Sequence, residues 1–289
     1  MDRRLPLLAA LLAAPLLLAA GRAAPPPPTA TADSCSWDLL AYNTWLRPRS
    51  LFPNRQLQRA GALGAVLGGH DVLVLSELFD DRSREVLLAG LREAYPYRTE
   101  LVGEDRGALQ DGGVMILSRW PVVAQGQQLY GVCSGSDCFA AKGLAYARIE
   151  RPGCVVHVLG THAQAGPATA VRREQLRQLR RFVDALQVPA DEPLLIAGDL
   201  NVNGVGAEWE RALRTLRAAA PPSAAGPWAT FDPVRNRNAH GERSLRLDHA
   251  LYSLGHQLPL RAQQRTRMIE AHGQPLSDHY AVEGTFEFP

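Results

Sequence analysis

Short apolar runs that close on a polar residue able to do chemistry recur along the chain. Residues 37–41 lead to Asn43, 72–75 to Glu77, 155–160 to His162, and 194–198 to Asp199 and Asn201. Each run is rich in Val, Ile or Leu and bounded by turn formers, which predicts a buried strand rather than a helix. Two further runs carry the polar residue at their start: Leu247-Asp248 ahead of 250–252, and Ser277-Asp278-His279 ahead of 280–286. If these two strands run antiparallel to the first four, all the polar side chains gather at one edge. Residues 113–117 and 143–149 read as additional strands.

Helical spacing fills the gaps. Residues 172–186 set Leu176, Leu179, Val183 and Leu186 on one stripe with arginines opposite, and 208–217 do the same with Trp209, Leu213 and Leu216. Residues 56–67 and 82–94 also fit helices. Strands and helices in no strict alternation predict an α+β fold: a four-layer α/β sandwich, two packed mixed β-sheets flanked by helices. No internal repeat or linker interrupts 36–289, so one domain is expected there.

The beginning of the chain has a different character. Arg3 and Arg4 precede an apolar run over 5–20, followed by small residues and the prolines of 25–28. This reads as a signal peptide over 1–24, cleaved between about residues 20 and 32, and a flexible leader over 25–35. The run is short for a membrane span, although a retained anchor is the alternative. The mature protein is therefore expected to be secreted or periplasmic.

Removing residues 1–24 takes away three arginines and one aspartate, which leaves basic and acidic side chains equal in number. A neutral domain is poorly suited to holding nucleic acid through its phosphates. Lys142 stands out among the arginines, which points to a task arginine does not fill. Four cysteines fit an oxidising compartment and allow three pairings. Cys133 and Cys138 flank the turn-like Ser134-Gly135-Ser136-Asp137, so a local clip is the first choice, leaving Cys35 with Cys154. Free thiols and metal ligands stay open, the latter weakened by the lack of a Cys-x-x-Cys pair.

Taken singly, the polar residues are unremarkable. Asn43 at a strand end is commonly a turn residue, and Asp278 beside His279 is a common neighbour pair. Glu77 is harder to dismiss, because an acid at the mouth of a buried strand needs a cation or water. Asp199-Leu200-Asn201 offers two oxygen ligands on one face if the strand continues through it.

Together they form an ordered set. Ala41-Tyr42-Asn43-Thr44-Trp45, Leu75-Ser76-Glu77, Gly160-Thr161-His162, Gly198-Asp199-Leu200-Asn201, Leu247-Asp248 and Ser277-Asp278-His279 resemble the signature of the DNase I-like superfamily. Finer strings, such as Pro48-Arg49-Ser50-Leu51-Phe52-Pro53-Asn54, Asp111-Gly112-Gly113-Val114, Ala141-Lys142-Gly143 and His157-Val158-Leu159-Gly160-Thr161-His162-Ala163-Gln164, resemble the bacterial neutral sphingomyelinases.

That resemblance implies a Mg²⁺-dependent phosphodiesterase, with Mn²⁺ or Co²⁺ as substitutes, acting on a phospholipid at a membrane surface. It implies Glu77 and Asn43 as metal ligands, with Asp199, Asn201, Asp278 and His279 completing the metal positions. It implies His279 as general base oriented by Asp248, with His162, Asp199 and Asn201 around the reacting phosphoryl group. Asp111 matches part of a peripheral metal site, but Gln110 stands where the family often has Glu. The family's toxins carry a long aromatic hairpin before the Ser-Asp-His strand; here the interval from Asp248 to Asp278 holds only Tyr252 as an aromatic, which argues against membrane insertion and haemolysis. The toxins' cysteine matching Cys133 pairs beyond the His strand, where this chain has none, which favours the Cys133–Cys138 clip. A monomer without an obligate protein partner is expected. The rivals are an extracellular nuclease and a non-catalytic binding protein on the same scaffold.

Overall fold

The structure is a computed structural model that describes residues 35–104 and 109–289. The first half comprises β1 (Cys35–Asn43), α1 (Gln56–Val66), β2 (Val72–Ser76), α2 (Asp81–Leu91), β3 (Tyr97–Arg98), β4 (Met115–Ser118), β5 (Val122–Leu129) and β6 (Gly143–Arg151). There follow β7 (Cys154–His162), α3 (Thr169–Leu186), β8 (Leu194–Asp199), α4 (Ala207–Leu216), β9 (Ala218–Ala219), β10 (Ser223–Ala225) and β11 (Asp248–Ser253). The chain closes with β12 (Arg261–Arg267), β13 (Glu270–Ala271), β14 (Gln274–Pro275) and β15 (Ala281–Phe288). The expected signal peptide and most of the leader lie outside the described residues. Cys35, assigned to the leader from sequence, instead opens β1.

Two mixed sheets carry the fold, one ordered β10-β12-β15-β1-β2-β4-β3 and the other β5-β6-β7-β8-β11-β9. Alternation along β1 explains how they pack. Leu39 and Ala41 face the second sheet in a core with Val74, Ile116, Val158, Ala197 and Phe286. Leu40 and Tyr42 point the other way, into a layer with Leu63 of α1 and Leu87 of α2. Leu159 and Ile196 of the second sheet meet Leu176 and Leu179 of α3 and Leu216 of α4. Burial on both faces makes the central strands read as continuous apolar runs. The result is the expected four-layer sandwich of two mixed sheets between helices.

The registers place the polar residues. β1 and β2 are parallel, with Asn43 opposite Ser76, and β7 and β8 are parallel, with His162 opposite Asp199. β11 runs antiparallel to β8 with Asp248 opposite Asp199, and β15 runs antiparallel to β1. Four strand ends and two strand starts therefore share one rim. Both expected disulfides are present: Cys133–Cys138, and Cys35–Cys154 across the two sheets.

Three expectations need correcting. The 113–117 strand begins at Met115, because Gly113 has a positive φ of 64° and turns the chain. β5 and β12 escaped the apolar-run criterion, since three glutamines and a glycine interrupt β5 and every residue of β12 but Ala262 is polar. Asn201 is not in a strand with Asp199: β8 ends at Asp199, and Asn201 takes a left-handed conformation with φ 51°.

Candidate active site

Each functional side chain is set by a local backbone device. Glu77 lies just past β2 with φ 56°, so it leaves the strand direction and its Oε1 accepts from Asn43 Nδ2 at 3.1 Å. The same Asn43 nitrogen donates to Asp199 Oδ2 at 3.1 Å, while Asn43 Oδ1 accepts from the Trp45 backbone N–H. Asp199 Oδ1 accepts from the Asn201 N–H at 3.0 Å, closing a small turn that ends β8. Asn201 Nδ2 donates to the Ala163 carbonyl, which commits one of its amide hydrogens to the protein.

The opposite wall is built by β11 and β15. Thr230 Oγ1 accepts the N–H groups of Leu247 and Asp248, and the Thr230 carbonyl accepts from the Tyr280 N–H, so one loop residue aligns both strand starts. Ser277 Oγ donates to the Asn43 carbonyl and accepts from the His279 N–H. His279 Nδ1 lies 2.7 Å from Asp248 Oδ2, which fixes one proton on Nδ1, so that the neutral ring carries its lone pair on Nε2.

The electrostatics of this rim are unbalanced. Burial first, and then the Asp248 charge, push the Asp199 carboxyl up to about 7. Burial also raises Asp278 to about 7, with Glu77 adding like-charge repulsion. Burial alone would lower His279, but the charge and hydrogen bond of Asp248, helped by Asp199 and Asp278, carry it well above its ordinary value. Glu77 Oε2 and Asp248 Oδ1 are buried without a hydrogen-bond partner among the described residues. Acceptor atoms of Asp199, Asp248 and His279 lie within 4.8 Å of one another. Crowded carboxylates with orphaned oxygens are the donor set a hard divalent cation takes, so the residues present fit Mg²⁺.

His162 sits on the far side of Asp199, its Nε2 3.6 Å from Asp199 Oδ2. Burial, followed by the charges of Lys142 and His279, holds its pKa well below the ordinary value. Lys142 is the functional neighbour that the catalytic reading left without a role. It is the only lysine in the chain, and its buried ammonium bonds Asp137 at 2.7 Å, His162 Nε2 at 3.1 Å and the Ala163 carbonyl at 3.0 Å. Its singular identity was the signal. Asp111 lies apart, held by Arg84 at 3.1 Å. His249 is buried against Trp209 with Nε2 on the Val202 carbonyl.

All eight sequence-predicted positions, Asn43, Glu77, His162, Asp199, Asn201, Asp248, Asp278 and His279, therefore come from the strand ends and starts of this one rim.

Known proteins share this fold. Sphingomyelinase C of Listeria ivanovii is 32% identical over 220 residues, which span 68% of this chain and 66% of that protein. The crystal structure of sphingomyelinase C from Streptomyces griseocarneus superposes with a TM-score of 0.80 at 33% identity, covering 87% of this chain and 99% of the other. A beta toxin mutant from Staphylococcus aureus with bound magnesium ions gives a TM-score of 0.79 at 27% identity, covering 86% and 99%. The profile of the Endonuclease/Exonuclease/phosphatase family matches residues 40–279, and the chain belongs to that family.

Proposed function

We propose that the protein is a secreted, Mg²⁺-dependent phosphodiesterase that hydrolyses sphingomyelin to ceramide and phosphocholine. The observation that carries this reading is the meeting of Asp199, Asp248 and His279 beside Glu77 and Asn43 on one rim, with buried carboxylate oxygens left without partners. Glu77, Asp199 and Asp278 would hold the cation, while Asn43, expected as a ligand, donates through Nδ2 to Glu77 and Asp199 and fixes their positions. When bound, Mg²⁺ neutralises phosphoryl charge and acidifies water.

The chain's own groups divide the remaining work. His279 Nε2, opposite the nitrogen held by Asp248, takes the proton from the attacking water. Because Lys142 donates to His162 Nε2, the His162 hydrogen resides on Nδ1, which has no acceptor among the described residues. That Nδ1–H is a donor for the departing ceramide oxygen. The second amide hydrogen of Asn201 is a further donor for a phosphoryl oxygen. Two disulfides support an extracellular location.

The test is phosphocholine release from sphingomyelin vesicles with and without chelator, run beside a plasmid-nicking assay. Chelator-sensitive phosphocholine release is the expected result. Nicking without phosphocholine release would transfer the protein to the nucleases.

A further inference from the structure

A cavity of about 670 Å³ lies between the start of α1 and the β13–β14 hairpin, beside the rim but lined by other residues. Trp45, Asn54, Arg55, Arg59, Arg237 and His272 border it, and no lining residue is acidic. Its polar lining is biased towards donors. Trp45 Nε1 and Asn54 Nδ2 are buried donors without an acceptor among the described residues. Asn54 Oδ1 is already used by Arg59 at 2.7 Å, so the amide presents its nitrogen elsewhere.

The exposed charges are also unmatched, whereas the charge of the buried Arg59 is offset in part by Asp278 and Glu77. The Arg59 guanidinium is buried and bonds the carbonyls of Thr44, Trp45, Asn54 and Leu276 and the Asn54 side chain, all neutral acceptors. Arg55 and Arg237 are exposed and make no ion pair among the described residues. Two unpaired guanidinium groups, Arg55 and Arg237, and two orphan N–H donors around one space attract an anion and repel a quaternary ammonium. Leu51 and Phe52, which immediately precede the lining residue Pro53 in the chain, are 70% and 42% exposed. Cationic donors bordered by exposed apolar side chains suit the interface of a bilayer.

We infer that this cavity is an accessory phosphate site that takes the headgroup of an anionic phospholipid and holds the enzyme on the surface it works on. It rests on the reading of the substrate as a membrane phospholipid. Trp45 and Leu276 connect it to the site, since they follow Asn43 and precede Ser277 in the chain.

The experiment measures binding, in chelator to prevent turnover, to phosphatidylcholine vesicles with and without phosphatidylglycerol. Wild type should gain on the order of tenfold in vesicle affinity from the anionic lipid. The double variant Arg55→Gln/Arg237→Gln should lose that gain, whereas the charge-matched Arg92→Gln/Arg98→Gln should keep it. A parallel titration with inorganic phosphate, followed by tryptophan fluorescence, separates the sources: a saturable response absent from the cavity variant assigns the site to a free anion. No such response, together with the vesicle gain, assigns it to the lipid. Equal behaviour of wild type and cavity variant in both arms overturns the site. Sphingomyelin turnover in neutral detergent micelles should be equal in all three proteins. Its absence in wild type would strike the functional reading and leave the vesicle result standing.

Discussion

At the scale of single residues, candidate positions were legible wherever a polar side chain ended or began an apolar run, and only their ordered set pointed to a chemistry. Asn43, His162, Asp199, Asp248 and His279 stood out because a strand carries its neighbours into the core and leaves the terminal residue at the rim. What the sequence hid was backbone hand: Glu77 and Asn201 both have positive φ, a conformation for which asparagine has some preference and glutamate carries no marker. Thr230 was equally hidden, since a loop threonine acquires its role only when two distant strands arrive. Two predictions belong here. His279→Ala should lower turnover by about 10²–10⁴, and near-normal rates would remove it from the chemistry. The second concerns protons. Asp199 and Asp278 are raised to about 7, so between their ordinary range and pH 7 the folded metal-free protein binds more protons than the unfolded chain. These groups therefore make its stability fall as pH rises through that window. Saturating Mg²⁺, which takes the ionised carboxylates, should raise Tm more at pH 8 than at pH 5. An equal rise at both values would show that these acids are not where the cation goes.

At the scale of elements, periodicity located all four α-helices among the described residues, and apolar runs located the central strands. β12 was missed for a physical reason: its inward positions include Gln264 and Thr266, and Gln264 is accommodated by donating to the Pro221 carbonyl rather than by being apolar. The parallel pairing of β7 with β8 is the step that brings His162 to Asp199, and it depends on Gly198. That residue has φ 125°, and a Cβ there would sit 2.1 Å from the Thr161 carbonyl oxygen on the neighbouring strand. Gly198→Ala should therefore cost about 1–3 kcal/mol in denaturant unfolding and also depress activity, because the displaced residues adjoin both His162 and Asp199. Gly68→Ala, where nothing lies within 4 Å, is the control and should be nearly neutral. Wild-type activity in Gly198→Ala would mean that the two strands do not need this close approach.

At the scale of the whole molecule, the two disulfides share a chemistry and differ in everything else. Cys35 opens β1 and Cys154 opens β7, so this bond joins the two sheets at the ends of those strands opposite Asn43 and His162. It spans 119 residues, whereas Cys133–Cys138 spans 5. In the chain-entropy account, the long loop contributes about 5 kcal/mol and the short one about 2 kcal/mol by restricting the unfolded chain. Position reverses the order for catalysis. The short clip encloses Asp137, whose carboxylate holds Lys142, which in turn holds His162. Replacing Cys35 and Cys154 with Ala should therefore cause the larger loss of Tm and leave kcat at 25 °C close to wild type. Replacing Cys133 and Cys138 with Ala should cost less stability but more turnover, as Asp137 and the ammonium it anchors lose their fixed position. The pair of measurements separates clamp from positioning device: if both variants lose stability and activity in the same proportion, the rim is not insulated from the far end of the sandwich.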